Sequence, residues 1–399
     1  MRRIMIVAGG EWQVPLIKKA KEMGAVVINS NLYKNSPGFR YADYCEVADV
    51  LDKEANLRIA KKYHIDAVLT DESDIAVPTT AYIAEKLGIP GIGMAHARLF
   101  TNKYLMRRFC TGIAFPCPEF AYCQNAGQVR QFMKEVGRKV ILKPLDAQSS
   151  RGVYILQKES DAEKYFEQSV QYSQSARAII AERYIDGVEF TVDGMIVNGQ
   201  HHCLAVSEKK HFSYNRSIAS ELYFAHENSK YDYQMLCEMN DTLISKSGLS
   251  MGLTHAEYKY ENGIFYLIEA AARGGGTRIS SHIVPKITGI DTYGFLIRSA
   301  LGEKRGQDCL IKGKYKSRCV VLKFLELEAG VVELIKGEDE VRNHPNIMEL
   351  RLEFSVGDMI ERAKDDRSRA GFYIAYGDTK EQLAEIMAWV DKTLRIVYR

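Results

Sequence analysis

The 399-residue chain has eight cysteines (45, 110, 117, 123, 203, 237, 309 and 319), and they form no C-x-x-C pair and no zinc-spaced set. Scattered thiols in a chain this long predict a reducing compartment and buried structural cysteines, not a disulfide scaffold. Long apolar runs are missing as well: no segment approaches the roughly 18 residues of a membrane span. The opening MRRIMIVAGG sets two arginines before an apolar run. That run ends after about five residues, short of a signal core. Charge of one sign is also absent, since the net charge is only +3. A nucleic-acid partner usually requires a concentrated basic face, so none is expected, although slight basicity suits a polyanionic small molecule. There is no GxxxxGK[ST] phosphate loop, and Gly9-Gly10 lacks the rest of GxGxxG. That pair reads as a tight strand-to-helix turn, with a small anion docked at the helix N-terminus as the functional option. Repeats, low-complexity tracts and long linkers are absent too. These absences leave a cytoplasmic protein with neither membrane nor nucleic acid as partner.

What is present, 46% apolar and 26% charged residues, is normal for a globular chain of two to four structural units. Residues 1–98 alternate strand and helix patterns: RIMIVAGG, VPLIKKAKEMG, AVVINS, ADVLDKEANLRIAKKYH, IDAVLT and AVPTTAYIAEKLG. This predicts a parallel α/β unit. From 99 to about 185 the pattern is that of a small α+β lobe, with a basic helical TNKYLMRRF and a Pro-punctuated GIAFPCPEF. From 186 to 305 antiparallel hairpins dominate, one turning at Asn198-Gly199 and one at Glu261-Asn262-Gly263. Residues 306–399 carry a further α+β pattern ending in the helix KEQLAEIMAWVDKTL.

Several short segments carry chemistry. In KVILKPLDAQSSRGV, Lys143 ends a strand, and a polar loop with Ser149, Ser150 and Gly152 follows, small enough for backbone N–H groups to approach a ligand. In AIIAERYIDGVEFTVDG, strand periodicity places Glu182 with Tyr184 on one face, and Glu189 with Thr191 and Asp193 on one face. The hairpin THAEYKYENGIFYLIEAAAR is more telling. A two-residue Asn262-Gly263 loop would pair Glu257 with Ile268 and turn Glu269 to the opposite side. A three-residue loop with Gly263 left-handed places Glu257 opposite Leu267, with Glu269 diagonally beside it. That register puts 255, 257 and 259 on one face with 267, 269, 271 and 273. Two carboxylates so close are costly unless a cation lies between them, and hard oxygens suit Mg²⁺ or Mn²⁺. The continuation IEAAARGGG is a strand end, since IFYLI leaves the turn as a β-former and EAAAR is too short for a helix.

Other polar clusters are open between function and plain structure. His201-His202 has no metal-spaced third ligand and reads as a surface pair. His255 shares the Glu257 face and either touches substrate or packs within the strand. In KKHFSYNR, Lys209, Lys210 or Arg216 could face a phosphate, with a solvated turn as the equal reading. KYDYQ reads as one face of an amphipathic helix.

Taken in order, NKYLMR, GIAFPCP, LKP with its small-residue loop, AERYIDGVEFTVD, HAEY and EAAAR followed by TGID resemble the ATP-grasp carboxylate–amine ligases. Biotin-carboxylase-like and L-amino-acid-ligase-like members are the nearest in pattern. The resemblance implies an ATP-grasp fold of α/β and α+β units. These would be an N-terminal Rossmann-like (pre-ATP-grasp) domain over 1–98, an ATP-grasp domain over 99–305 with a mobile lid at about 113–183, and a C-terminal α+β domain over 306–399. It also implies roles for individual residues. Lys103 and Lys143 reach the ATP phosphates, beneath a lid loop holding Ser149, Ser150 and Gly152. Glu182 with the backbone of Tyr184 and Ile185 reads adenine, and Glu189 binds ribose. Glu257 and Glu269 hold Mg²⁺ or Mn²⁺, and Arg273 faces phosphate. Arg278, beyond the three glycines, either binds a substrate carboxylate or forms a surface ion pair. One position departs from the common E-x-N-x-R pattern: Ala271 stands where an asparagine helps hold a second metal. No biotin-attachment sequence is present.

The implied activity is ATP-dependent joining of a small carboxylate to an amine through an acyl phosphate, releasing ADP and phosphate, with a homodimer as the plausible assembly. Carboxylation with bicarbonate is the enzymatic rival. A non-catalytic nucleotide-binding protein is the rival from another class, motivated by Ala271.

Overall fold

The computed structural model describes residues 1–147, 150–303 and 317–399. Strands Arg3–Val7, Val26–Asn31, Tyr44–Val47 and Ala67–Leu69 form a parallel sheet, with Arg3–Val7 between Val26–Asn31 and Ala67–Leu69. Helices Val14–Glu22, Lys53–Tyr63 and Val77–Leu87 connect and cover it. The parallel α/β unit predicted within residues 1–98 is therefore present. Tyr44–Val47 was not anticipated, because this edge strand is largely exposed and has no apolar run. Asp52 starts the second of these helices by accepting from the Ala55 N–H at 2.9 Å.

A small lobe follows. Its antiparallel sheet runs Phe120–Cys123, Ile179–Arg183, Val140–Pro144, Tyr154–Leu156 in spatial order. Helices Ala126–Val136 and Ala162–Val170 bury Val129, Phe132 and Phe166 against it. These helices each present one apolar stripe and cannot be stable alone, so the lobe has its own small core.

The body is an eight-stranded sheet in the order Ile264–Ala271, Gly252–Glu261, Val188–Val197, Gln200–Phe212, Asn215–Ala225, Cys319–Phe324, Gly371–Gly377, Ile347–Leu352. Its last three strands come from the C-terminal segment, which thus continues the central sheet. The domain boundary expected at 305/306 falls within residues that are not described.

Two turns settle the hairpins. Asn198 and Gly199 both have positive φ (52° and 78°), and Val197 pairs with Gln200, as a two-residue turn requires. Asn262 and Gly263 do the same (52° and 87°), pairing Glu261 with Ile264. The three-residue loop expected at this second turn is therefore wrong. Tyr258 still pairs with Leu267, but the register then shifts and Glu257 faces Glu269 directly. A bulge at Ile268, not a longer loop, brings the two carboxylates onto one face.

Two further expectations are overturned. Cys203 and Cys237 form a disulfide with Cα atoms 5.4 Å apart, and Cys45 is exposed, so the thiols are not uniformly buried and reduced. His201 is buried rather than on the surface: its Nδ1 lies 2.7 Å from Asp241 and its Nε2 2.6 Å from Thr254.

Candidate active site

One face of the central sheet carries the charged residues in rows set by strand pairing. The first row is Lys259, Glu189, Lys209, and the next is Glu269, Glu257, Thr191, Ser207. A third row places Ala271, His255 and Asp193 side by side. Alternation along each strand keeps all three rows on the same side.

The bulge that aligns Glu257 with Glu269 has identifiable support. It disrupts the ladder locally. Arg107 Nη2 donates to the Ile268 carbonyl at 2.6 Å, and Leu267 N–H donates to the Pro116 carbonyl at 3.0 Å. Arg107 comes from helix Lys103–Gly112, one turn after Lys103, so the same helix face supplies both cations. Asn102 caps that helix by accepting from the Leu105 N–H. Lys103 Nζ lies 2.9 Å from Glu269 and donates to the Ala147 carbonyl at 2.8 Å. Burial opposes its charge, but Glu269 outweighs burial and holds Lys103 above the usual lysine range.

Glu182 is fully buried between two cations. Arg107 Nε and Lys143 Nζ each lie 2.7 Å from one of its oxygens. Neither approach is aligned as a hydrogen bond, so both carboxylate oxygens keep unfilled acceptor capacity. Burial works against its ionisation, yet Arg107 and then Lys143 pull the carboxyl below its ordinary value. Lys143 is pushed down by burial, with Glu182 opposing.

A second cluster centres on Lys209. Its Nζ lies 2.5 Å from Glu189 and 3.1 Å from Glu257, while His211 Nε2 approaches the other Glu189 oxygen at 3.2 Å. Against burial, Lys209 first and then His211 take Glu189 down to about 2. Glu257 is likewise held well below the usual range by Lys209 and His255, which outweigh burial. His255 Nδ1 sits 2.9 Å from Asp193, and that carboxylate, followed by Glu257, lifts the imidazole to about 9 despite burial.

Strand Ile264–Ala271 ends before Arg273. Arg273 therefore stands just past the strand face instead of on it, and it forms a two-pronged pair with Asp74 of the N-terminal domain at 2.9 and 2.7 Å. Arg278 adopts left-handed backbone (φ 67°) and is bound by Glu11 at 3.2 Å and Glu349 at 2.9 Å, over the ring of Trp12. It ties three parts of the chain together. In the lid, Ser150 donates to Asp366 of the C-terminal segment at 3.0 Å. Gly152 is left-handed (φ 69°), and a Cβ there would meet Tyr172 at 2.6 Å. Ser149 lies outside the described residues. Tyr184 and Ile185 form the link from the lid into Val188–Val197, with Lys259 Nζ 4.7 Å over the Tyr184 ring and 3.4 Å from the Ile185 carbonyl.

Some of these groups line a cleft of about 800 Å³, although Lys103, Lys143, Glu182, Tyr184, Ile185, Glu189 and Arg278 do not. Lys209, His255, Glu257, Glu269 and Arg273 line it on the sheet side, Glu72 and Asp74 from the N-terminal domain, and Asp366–Ala370 from the C-terminal segment. Glu72 has left-handed backbone (φ 54°), and burial, then Asp71, push its carboxyl well above the ordinary value. Sequence reading missed Arg107, Asp74 and Glu72. Only Arg107 left a signal, its four-residue spacing from Lys103. Asp74 and Glu72 acquire partners about two hundred residues away.

The donor set fits a hard divalent cation. Glu257 and Glu269 are direct cross-strand neighbours offering oxygen only, and Glu257 stays ionised across the neutral range. Among the described residues there is no cluster of three or more acidic, His or Cys ligands, so an all-protein cage is not what these residues provide. A pair of carboxylates is the usual protein share for Mg²⁺ that takes its remaining ligands from phosphate and water.

Comparison with known proteins places this arrangement in a class. Residues 136–281 match the ATP-grasp domain, and the fold is that of the ATP-grasp enzymes. Residues 323–399 match L-amino acid ligase C-terminal domain 2. The L-amino acid ligase of Bacillus licheniformis superposes with a TM-score of 0.83 over 100% of this chain and 99% of that one, at 20% identity. The biotin carboxylase domain dimer of Hydrogenobacter thermophilus 2-oxoglutarate carboxylase, in complex with MgADP, ADP and bicarbonate, gives 0.77 over 100% and 91%, at 17% identity. At such identities the likeness is one of fold. Among curated proteins, the formate-dependent phosphoribosylglycinamide formyltransferase of Synechococcus sp. (strain CC9902) is 26% identical over 188 residues, 46% of this chain and 48% of that one. The chain spans about half the length of the curated relatives it matches.

Proposed function

We propose that this protein is an ATP-dependent ligase that joins a small carboxylate to an amine, forming a C–N bond and releasing ADP and phosphate. The observation that carries the reading is the Glu257/Glu269 pair, aligned by the Ile268 bulge within one cleft beside Lys103 and Lys209. Lys103 and Lys143 are positioned to neutralise phosphate charge, and Arg273 to do so on release from Asp74. Glu182, with two unfilled acceptor oxygens, suits the exocyclic amine of a nucleobase, with Tyr184 and Ile185 beside it. Glu189 is the ribose carboxylate. Glu257 and Glu269 would hold Mg²⁺, with Mn²⁺ able to replace it, and the ion supplies charge neutralisation at the phosphates.

In the reaction, a carboxylate oxygen of the substrate attacks the γ-phosphorus, and the bond to the β–γ bridging oxygen breaks to leave ADP. The amine nitrogen then attacks the acyl carbon of the acyl phosphate and expels phosphate, losing one proton to solvent. Ser150 and Gly152 in the lid close over the phosphates, so the acyl phosphate is kept from water. Arg278, locked by Glu11 and Glu349, fixes the domains around the substrate end. The reading places the reaction where ATP is made and used, in the cytoplasm, and the dimeric neighbour makes a homodimer the assembly to look for. No helix among the described residues is long and apolar enough to cross a membrane.

The test is ADP release by the purified protein with MgATP, screened across pairs of amino acids, amino sugars and simple carboxylates. ADP release dependent on both a carboxylate and an amine supports the ligase. Release that requires bicarbonate identifies a carboxylase instead, and ATP binding without substrate-stimulated turnover identifies a nucleotide-binding protein.

A further inference from the structure

The N-terminal parallel sheet ends in two unlike edges. Its Ala67–Leu69 edge is buried throughout, whereas Tyr44–Val47 is exposed at three of its four residues. Among the described residues no strand pairs with the outer side of Tyr44–Val47, so that side offers a row of open N–H and C=O groups. Leu32, Tyr33, Tyr41, Tyr44, Val47 and Leu51, on the strand and the segments flanking it, are each at least 41% exposed.

An exposed edge is usually guarded by a lysine, a proline or a bulge. Tyr44-Cys45-Glu46-Val47 has neither lysine nor proline, and its pairing with Val26–Asn31 runs without a register shift. Shortness is the one safeguard it has. The exposed rings are nevertheless held in place: Tyr44 lies 4.8 Å from the Tyr63 ring, and Lys18 lies 4.3 Å over Tyr41. Glu46, the one acid in the strand, is engaged by Lys62 and by the Tyr63 hydroxyl, both at 2.6 Å.

Such an edge accepts another extended strand, and its own copy is complementary to it. Two chains paired antiparallel about a two-fold axis perpendicular to the sheet keep their faces matched. Paired residues must share a face, so the axis passes through a residue and not between two. An axis at Glu46 would set two carboxylates opposite each other, which is unfavourable. An axis at Tyr44 would leave Glu46 and Val47 opposite Ala42 and Tyr41, outside the strand. An axis at Cys45 opposes Cys45 to itself, Tyr44 to Glu46 of the copy and Asp43 to Val47 of the copy. The flanks then match in charge, because Arg40 before the strand runs toward Asp49 and Asp52 after it, and all three are exposed.

From this complementarity we infer that Tyr44–Val47 is the surface through which two copies of this chain associate, antiparallel, with Cys45 on the two-fold axis. None of the six exposed apolar residues lines the cleft, so the surface does not rest on the ligase reading. A four-residue edge with its apolar flanks is small beside a standard interface, and the dimer is therefore a weak, concentration-dependent one.

The experiment measures mass and cross-linking, with no turnover involved. Sedimentation velocity follows the protein from about 1 to about 200 µM, a range over which mass action converts a weak dimer from single chains to pairs. Opposed residues of antiparallel strands lie about 4.5–5.5 Å apart at Cα, within the span of a disulfide. Copper phenanthroline at the highest concentration, followed by mass mapping, should therefore link Cys45 to Cys45 of the copy. The expected result is a mass rising toward two chains, that link, and alkylation of Cys45 that is ready in dilute protein and suppressed in concentrated protein. Val47→Lys, a charge placed on the exposed edge, should keep a single chain throughout with an unchanged unfolding midpoint. A single chain at every concentration, a dimer that persists in Val47→Lys, or a dimer whose Cys45 does not link overturns the inference. If Val47→Lys does not fold, the Cys45 link in the unaltered protein decides.

Discussion

Replacing Glu182 by glutamine tests whether the two cations around it depend on its charge. The side chains of Arg107 and Glu182 are 1% exposed and that of Lys143 is 8% exposed, with both contacts at 2.7 Å. Glutamine keeps the shape and removes the charge, leaving two buried cations without a counter-ion. Breaking a buried pair from one side costs about 3–5 kcal/mol, because the partner stays charged and desolvated. Lys143 can shed part of that by deprotonating, since burial already lowers its pKa, but Arg107 cannot. Arg107 also holds the Ile268 carbonyl, so its displacement should loosen the bulge that sets Glu269. The expected outcome is a fall of about 3 kcal/mol or more in urea unfolding of the lid and central sheet, together with loss of ATP-analogue affinity. A triple change, Glu182→Leu with Arg107→Met and Lys143→Met, should recover much of the stability but none of the nucleotide binding. A Glu182→Gln protein as stable as the parent within about 0.5 kcal/mol, with unchanged ATP affinity, would refute the reasoning.

Other consequences can be checked alongside. Glu269→Gln should abolish substrate-dependent ATP turnover and weaken Mn²⁺ binding by electron paramagnetic resonance titration; intact turnover with the true substrate contradicts its metal role. Asp74→Asn frees Arg273 from its two-pronged pair and should lower stability by about 1–3 kcal/mol, read as an earlier unfolding midpoint. Alkylation at pH 8 followed by mass mapping should find Cys45 modified in the folded protein and Cys123 protected, since burial pushes that thiol up to about 12. In the same experiment Cys203 and Cys237 should label only after reduction, and their labelling without reductant would exclude the disulfide.

The sequence conveyed the type of each element better than the way the elements meet. The strand character of IFYLI and the positive-φ pair at Asn198-Gly199 depend on neighbours within a few residues, so both were legible. The register at Glu257 was not. It depends on a bulge whose carbonyl is satisfied by Arg107, 161 residues away. Arg273 is aimed by Asp74, 199 residues distant, and no local pattern encodes that choice. His201 looked like half of an exposed pair because its partners, Asp241 and Thr254, lie on other elements. The union of C-terminal strands with the central sheet was hidden for the same reason: Asn215–Ala225 pairs with Cys319–Phe324 across a separation of about a hundred residues. Pairing at that distance is set by the final packing and not by local propensity.

The central claim is that a substrate carboxylate oxygen attacks ATP within the cleft between Glu257 and Glu269. It is tested most directly with a carboxylate substrate labelled with ¹⁸O at both oxygens, supplied with MgATP and the amine. Inorganic phosphate carrying one ¹⁸O, in step with ADP formed, is the predicted result. Unlabelled phosphate released at the same rate as ADP would contradict it.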